Sequence, residues 1–448
     1  MSKRHVVIVG GGISGLSAAY FLSRRASDEK ISLRITLLEA SGRFGGVLQT
    51  LRGKDFHMEA GADAFDGKDP VLLDLCKTFG IRDELLPCES TLKRAFISCK
   101  KDLQPFDLSF ADPAIVLRGP GLGLGARARL FCEFLTPSRK EDFDESIASF
   151  IRRRFGSDVL DVWGEPLIRG ILMGEAEKLS LSEYFPHWQK MEREYGSVGR
   201  AILGRKKQAF GGNFFTLRGG LDRLVPAFLK ELGSVNFMTP ARVATLKKEK
   251  TWEVCLQDGR RVSADIVCLA LPAPETSKIL AEFVPLLAAE LARIRYDSVA
   301  AVNMVFRREE IPGNFPQQGF IVPAREEKWP FASLKVIGKT EDGAWVKLRA
   351  FVSGTFQSDV YGREHEWVQR NVLQCLADEW GIKILPAGIS TEIYPQALPQ
   401  YEIGHAGRIS EIEKLLGNYP GLFLTGNGYH GFGISECVRG ARNWAARI

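Results

Sequence analysis

Six residues near the start of the chain have the types and spacing needed to hold a phosphate group. Gly10-Gly11-Gly12-Ile13-Ser14-Gly15 is a G-x-G-x-x-G run. Gly10 permits a tight turn, Gly12 lets the backbone approach a diphosphate, and Gly15 lets a following helix lie close to a preceding strand. Glu39 stands twenty-four residues beyond Gly15. A carboxylate there can accept both hydroxyls of a ribose and would repel a 2′-phosphate.

These residues act together only if a strand and a helix position them. Val6–Val9 is an unbroken β-branched run, the pattern of a strand buried on both faces of a parallel sheet. Leu16–Leu22 reads as a helix whose N-terminus offers free N–H groups and the positive end of its dipole. Arg34–Leu38 reads as a second strand that delivers Glu39. Strand, glycines, helix, strand and acid together make a dinucleotide-binding unit.

Composition narrows the remaining chemistry. At 448 residues the chain is about three ordinary domains long. Its 45% apolar and 25% charged residues are globular usage. No apolar stretch reaches the roughly 20 residues of a membrane span, and Met1–His5 runs straight into a strand, leaving no room for a signal peptide. A soluble, cytoplasmic protein is expected. The net charge of +6 is spread along the chain, which argues against nucleic acid and fits an anionic ligand or a membrane surface better. Eight cysteines include no C-x-x-C pair, and six histidines include no H-E-x-x-H, so reduced thiols and no metal site are expected.

The residues after Glu39 separate one dinucleotide from another. Glu39-Ala40-Ser41-Gly42-Arg43-Phe44-Gly45-Gly46 resembles the Arg-x-Gly-Gly segment of the flavin amine oxidase and phytoene desaturase superfamily. The resemblance implies FAD. It places Gly45 and Gly46 under the diphosphate, with Arg43 helping to neutralise it, and counts Ala40 and Val47 among the cofactor contacts. Gly61-Ala62-Asp63-Ala64 resembles the stretch beside the isoalloxazine. Val243 resembles the residue whose backbone meets the adenine, and Tyr394, Phe432, Gly433 and Ile434 resemble contacts near the flavin ring.

Further segments narrow the family. Glu165–Gly174 with Leu179-Ser180, Phe215–Leu221, Pro399–His405 with Arg408-Ile409, and Gly426–Val438 resemble blocks of the oxygen-dependent protoporphyrinogen oxidase family, which includes the bacterial coproporphyrinogen III oxidases. The likeness runs in collinear order from residue 5 to the C-terminus. It departs at Gly319–Pro323, two residues shorter than usual, and at Ser435-Glu436, where Pro-Asp or Asn-Asp is common. The implied reaction is oxidation of a porphyrinogen by molecular oxygen, with removal of six electrons and release of hydrogen peroxide in haem biosynthesis. FAD carries the hard step, so no catalytic side chain and no general base is nominated.

Substrate contacts follow from the same resemblance. Arg94 occupies the propionate-pairing position, Phe320 and Ile321 match pocket walls, and Phe351 joins them. The plainer alternatives are a solvated arginine and core phenylalanines. Lys347 and Arg349 alternate on one strand face and read as a solvated face, with substrate carboxylates the functional alternative. Arg152–Arg154 and Arg205–Lys207 also read as solvated, with anionic lipid the alternative. His430 reads as an exposed turn residue.

The implied fold class is α/β. A Rossmann-type FAD-binding domain (1–70, 208–275 and 415–448) is joined to a mixed-sheet substrate domain (71–107 and 276–414) and a helical subdomain (108–207). In the latter, Gly119–Ala128 reads as a connection, Asp144 as the cap of a helix carrying Ile147, Phe150, Ile151 and Phe155, and Gly156 as its stop. The resemblance leaves room for contact with a ferrochelatase or the inner-membrane surface. The rival readings are a flavin amine oxidase, a carotenoid desaturase and a non-enzymatic FAD-binding protein of the haem pathway.

Overall fold

Val6, Val7, Ile8 and Val9 are all buried because alternate side chains feed two different cores. Val6 and Ile8 pack with the helix Ile13–Asp28 on one side, and Val7 and Val9 pack with Leu246, Trp252 and Leu269 on the other. That is the burial expected of a central parallel strand. The computed structural model describes residues 3–88, 94–99, 102–107, 119–139, 143–204, 214–316, 319–322, 329–339, 343–352 and 365–448. In it the strands Asn236–Met238, Leu33–Leu38, Arg4–Val9, Ile266–Leu269 and Leu422–Leu424 pair in that order, all parallel. The closing helix Ile434–Ala445 packs beside Ile13–Asp28.

A seven-stranded mixed sheet forms the second layer. Its order is Gly388–Pro399, Tyr296–Arg307, Trp345–Val352, Ser333–Lys339, Phe320–Ile321, Arg94–Cys99, Asp102–Asp107, with one parallel pairing, between Phe320–Ile321 and Arg94–Cys99. Period-two alternation gives the sheet two unlike faces. Met304, Phe306, Phe320, Leu334, Leu348 and Ala350 pack on the far face against the helix His365–Trp380. Asn303, Ile321, Ser333, Lys335, Arg349 and Phe351 share the near face, as the ladder pairs Asn303–Arg349, Lys335–Arg349, Ser333–Phe351 and Ile321–Ser333 require.

Helices drawn from residues 124–204 pack against the near face of the seven-stranded sheet, around Ile97, Phe106 and Ile321. Here the structure departs from several expectations. A helix, Leu124–Phe131, starts inside the Gly119–Ala128 segment. Ser146, not Asp144, caps Ile147–Phe155 by accepting from Ser149 N, while Asp144 accepts from Ser182 N at 3.3 Å. Arg154 is fully buried rather than solvated, paired with Glu133 and Glu192, and Arg153 bonds Glu145 and Glu192 at 2.7 and 2.6 Å. Only Arg152 of the three stays at the surface, beside Glu177. Arg205–Lys207 lie outside the described residues.

The helix Val71–Thr78 also shifts allegiance. Val71, Leu72, Leu75 and Cys76 pack into the core of the parallel sheet, and Leu85–Pro87 pairs with Phe214–Leu217. The expectation that residues from 71 onward belong with the substrate sheet does not hold for this helix, because its apolar face covers the parallel sheet. Among the described residues no helix is long and apolar enough to cross a membrane.

Candidate active site: a glycine cradle beside an apolar cavity

The turn after the first strand is shaped by close backbone approach. Gly10 has φ +106°, where a Cβ would lie 2.5 Å from Ala270 O, and a Cβ on Gly15 would overlap the Gly10 carbonyl. Gly12 caps the helix Ile13–Asp28 with no side-chain bond, and no acid stands in its first turn. The first-turn N–H groups, those of Ile13 and Ser14 included, therefore have no side-chain acceptor at the cap. Across from them Gly45 N donates to Gly11 O at 2.8 Å, and a Cβ on Gly46 would sit 3.1 Å from Gly12 Cα. Two glycine segments thus face each other backbone to backbone. A diphosphate fits this cradle, and any side chain there would fill it.

Glu39 is set by its neighbours. Its N–H donates to Met238 O at 3.0 Å and its carbonyl accepts from Ala241 N at 2.7 Å, which brings the strand starting at Val243 alongside. Its carboxylate accepts from Gly11 N and Ser41 N, both at 2.7 Å. Ala40 beside it is half-buried. Arg43 is tied to its own turn. Its guanidinium donates to Gly46 O at 2.6 Å, Gln49 Oε1 at 2.9 Å and Leu48 O at 3.3 Å. In this structure it staples the Gly45-Gly46 turn.

The next segment is clamped from the second sheet. A Cβ on Gly61 would overlap Val47 O and lie 3.3 Å from the Tyr394 hydroxyl. Arg349, 1% exposed, donates to Asn303 Oδ1 at 2.6 Å, to Gly61 O at 2.8 Å and to Glu59 O, and lies 3.4 Å from Asp63. The solvated reading of Arg349 is thereby overturned. Lys347 is half-buried as well, 3.4 Å from His57 Nε2. The carboxyl of Glu59 accepts from Leu221 N and Thr50 Oγ1, yet burial still pushes its pKa up to about 7. Burial likewise pushes the Tyr394 phenol up to about 12.

A cavity of about 1600 Å³ opens beside these elements, lined by Ala64, Ile168, Ile171, Tyr184, Phe214, Tyr401 and Phe432 among others. Gly433 and Ile434, where the closing helix begins, also reach it. Tyr401 holds that turn in place, donating to Asn427 O at 2.6 Å and accepting from Gly431 N at 3.0 Å. Its ring stacks on His405 at 4.1 Å, and burial holds His405 near pKa 4 and therefore neutral. His430 is exposed, 3.6 Å from Glu413.

The structure divides the expected substrate residues. Phe320 points into the far-face core, ringed by Trp329, Phe331 and Trp380, and is no cavity wall. The reason is parity, since adjacent strand residues face opposite ways. Ile321 is on the near face but lies beneath Gly170 of the helix Glu165–Leu172. Phe351 is half-buried on the near face beneath Lys335. Arg94 opens its strand, opposite Asp107, and its side chain lies outside the described residues. Sequence reasoning missed Lys335 and Asn303, and only their ladder positions opposite Arg349 could have signalled them. Among the described residues no cluster of His, Cys, Asp or Glu could hold a metal.

Comparison with known proteins gives a consistent picture. The family model described as flavin containing amine oxidoreductase matches residues 13–448. A coproporphyrinogen III oxidase of Bacillus subtilis is 29% identical over 97% of this chain and 96% of its own. A protoporphyrinogen oxidase of Bos taurus is 29% identical over 99% and 98%. A crystal structure from Exiguobacterium sp. 255-15, provisionally named a protoporphyrinogen oxidase, superposes with a TM-score of 0.88 at 28% identity, covering 100% of this chain and 99% of that one.

Proposed function

The chain belongs to the flavin containing amine oxidoreductase family, and on that premise we propose that it oxidises a porphyrinogen to the porphyrin in haem biosynthesis, with FAD as cofactor and molecular oxygen as acceptor. The observation that carries this reading is the cavity. Its 1600 Å³ of largely apolar space next to the glycine turn suits a tetrapyrrole macrocycle, whereas ligand sites usually run to roughly 300–1,000 Å³ and a small amine would need less. Full-length likeness to relatives named for both porphyrinogens supports the same substrate class.

Roles follow from position. The N–H groups at Gly12–Gly15 and the Gly45-Gly46 turn take the diphosphate, Glu39 the adenosine ribose, and the Val243 backbone the adenine. Gly61–Ala64, Val47, Tyr394 and Phe432–Ile434 surround the isoalloxazine. When bound, FAD supplies two-electron acceptance and reoxidation by oxygen. Three rounds convert one porphyrinogen and three O₂ into one porphyrin and three H₂O₂. The chain's own work is to hold the macrocycle against that site and keep water out. Protons leave to water from the pyrrole N–H groups.

The two-sheet arrangement supports a discontinuous FAD-binding domain and a mixed-sheet substrate domain, with residues 71–88 joining the former. A cytoplasmic enzyme touching a membrane surface would use the exposed Leu124, Phe131 and Leu135, close to the cavity-lining Leu130 and Phe134. Co-sedimentation with anionic vesicles tests that contact. The function itself is tested by supplying coproporphyrinogen III and protoporphyrinogen IX separately in air. Porphyrin fluorescence above autoxidation, with three peroxides per porphyrin, is the expected outcome; putrescine should give none. Peroxide from putrescine alone would return the protein to the amine oxidases.

A further inference from the structure

The near face of the seven-stranded sheet carries two cations, and only one has its partners. Lys335 and Arg349 stand opposite each other in the ladder. Arg349 is occupied by two carbonyls, Asn303 and Asp63. Lys335 is half-buried and lines the cavity, its Nζ 4.9 Å from the centre of the Phe351 ring. Among the described residues no oxygen lies within hydrogen-bond or ion-pair distance of that Nζ. Burial pulls its pKa below the ordinary lysine value, Asp63 opposes that pull, and Arg349 adds to it.

The local charge balance is plain. Asp63 contributes one negative charge and Arg349 and Lys335 two positive ones, leaving one positive charge at an apolar wall. A partly buried ammonium without a hydrogen-bonded partner is costly. A carboxylate arriving with a ligand would remove that cost through a charge-assisted hydrogen bond. The cavity's other cations are placed differently. Lys68 and Arg200 are exposed, and Arg439 is paired with Asp69 at 2.8 Å.

We propose that Lys335 receives a carboxylate of the substrate at the sheet wall of the cavity and so determines specificity and orientation. This rests on the porphyrinogen reading and deepens it. One propionate edge of the macrocycle points inward, toward the Arg349–Asp63 clamp, instead of every carboxylate facing solvent. Phe351, on which the ammonium rests, fixes its height above the sheet.

Binding, read apart from turnover, tests the proposal. The FAD-loaded wild type and its K335M, K335Q and K335R variants are titrated with coproporphyrin III by fluorescence quenching, and with octaethylporphyrin, a macrocycle of similar size without carboxylates. Flavin absorbance of each variant confirms folding, and K335Q replaces K335M if the latter does not hold FAD. The expected result is coproporphyrin III binding weakened at least ~10-fold in K335M or K335Q and less than ~3-fold in K335R, with octaethylporphyrin unchanged. Equal coproporphyrin III binding by the wild type and K335M overturns the proposal. So does an equal loss with octaethylporphyrin, which would mean shape rather than charge, or a wild type that binds no coproporphyrin III. If the wild type binds it but oxidises neither porphyrinogen, the oxidase reading falls, and the binding ratio still decides the role of Lys335.

Discussion

The glycine cradle and the sheet face across from it present polar groups in different ways. In the cradle they belong to the main chain: the first-turn N–H groups of Ile13–Asp28, with glycines at 10, 12, 15, 45 and 46 keeping side chains away. On the sheet face they belong to side chains, a saturated Arg349 and an open Lys335 on adjacent strands. A main-chain site fails when a Cβ is added. A side-chain site fails when a charge is removed and its partners stay buried. The cradle therefore demands particular residues at particular spacings, whereas the sheet face demands only that the fold bring its residues together.

Substitutions can break this contrast, and the largest effect belongs to the cradle. Gly15→Val puts a side chain onto the Gly10 carbonyl and should leave purified protein without FAD absorbance near 450 nm. Gly42→Ala, whose Cβ would meet nothing within 4 Å, should keep wild-type FAD content. Full FAD in G15V would show that the close packing there is dispensable.

On the sheet face, Arg349→Met leaves two buried carbonyls and Asn303 without their donor. A loss of about 3–5 kcal/mol is expected in the denaturant midpoint. Loss under ~1 kcal/mol would mean the clamp relaxes and the Glu59–Asp63 segment is held from the cradle side. In the helical layer Arg154→Met should cost a similar amount, because Glu133 and Glu192 would remain buried.

Glu59 joins the two regions and adds a pH dependence. Its folded pKa near 7 lies above the ordinary 4.5, so the folded state holds more protons between those values. Stability from this group is full below about pH 4.5 and is lost as pH rises to about 7, by roughly 3 kcal/mol at most. His57 and His405, both held near 4, act oppositely, adding stability as pH rises from about 4 to 6.5. The difference between wild type and Glu59→Gln across pH 4.5–7 isolates the carboxyl, and a flat difference would assign it an ordinary pKa. The smallest effect is Glu39→Gln, expected to weaken FAD binding about tenfold, or ~1.4 kcal/mol, by losing a charged acceptor for the ribose.

Legibility in the sequence follows the same contrast. The strand, glycines, helix and Glu39 were readable because a main-chain site leaves its signature in local spacing. The parallel sheet's central strands were readable too, since burial on both faces needs unbroken apolar runs. For Arg43 the sequence names the residue but not the contacts its guanidinium makes with its own turn's carbonyls. The burial of Arg154 and Arg349 was misread for a related reason. Their partners, Glu133 and Glu192 in one case and Glu59, Gly61 and Asn303 in the other, are distant in sequence. Strand parity moved Phe320 out of the cavity, and the long strand Gly388–Pro399 went unread because its burial does not alternate cleanly.

The most direct test of the porphyrinogen assignment removes oxygen. FAD-loaded protein is mixed anaerobically with coproporphyrinogen III, and separately with protoporphyrinogen IX, while absorbance near 450 nm is followed. Bleaching by at least one of them, fully restored when air is admitted and accompanied by peroxide and porphyrin, is the predicted result. A flavin that stays oxidised with both porphyrinogens, in protein that retains FAD and binds coproporphyrin III, would contradict the account.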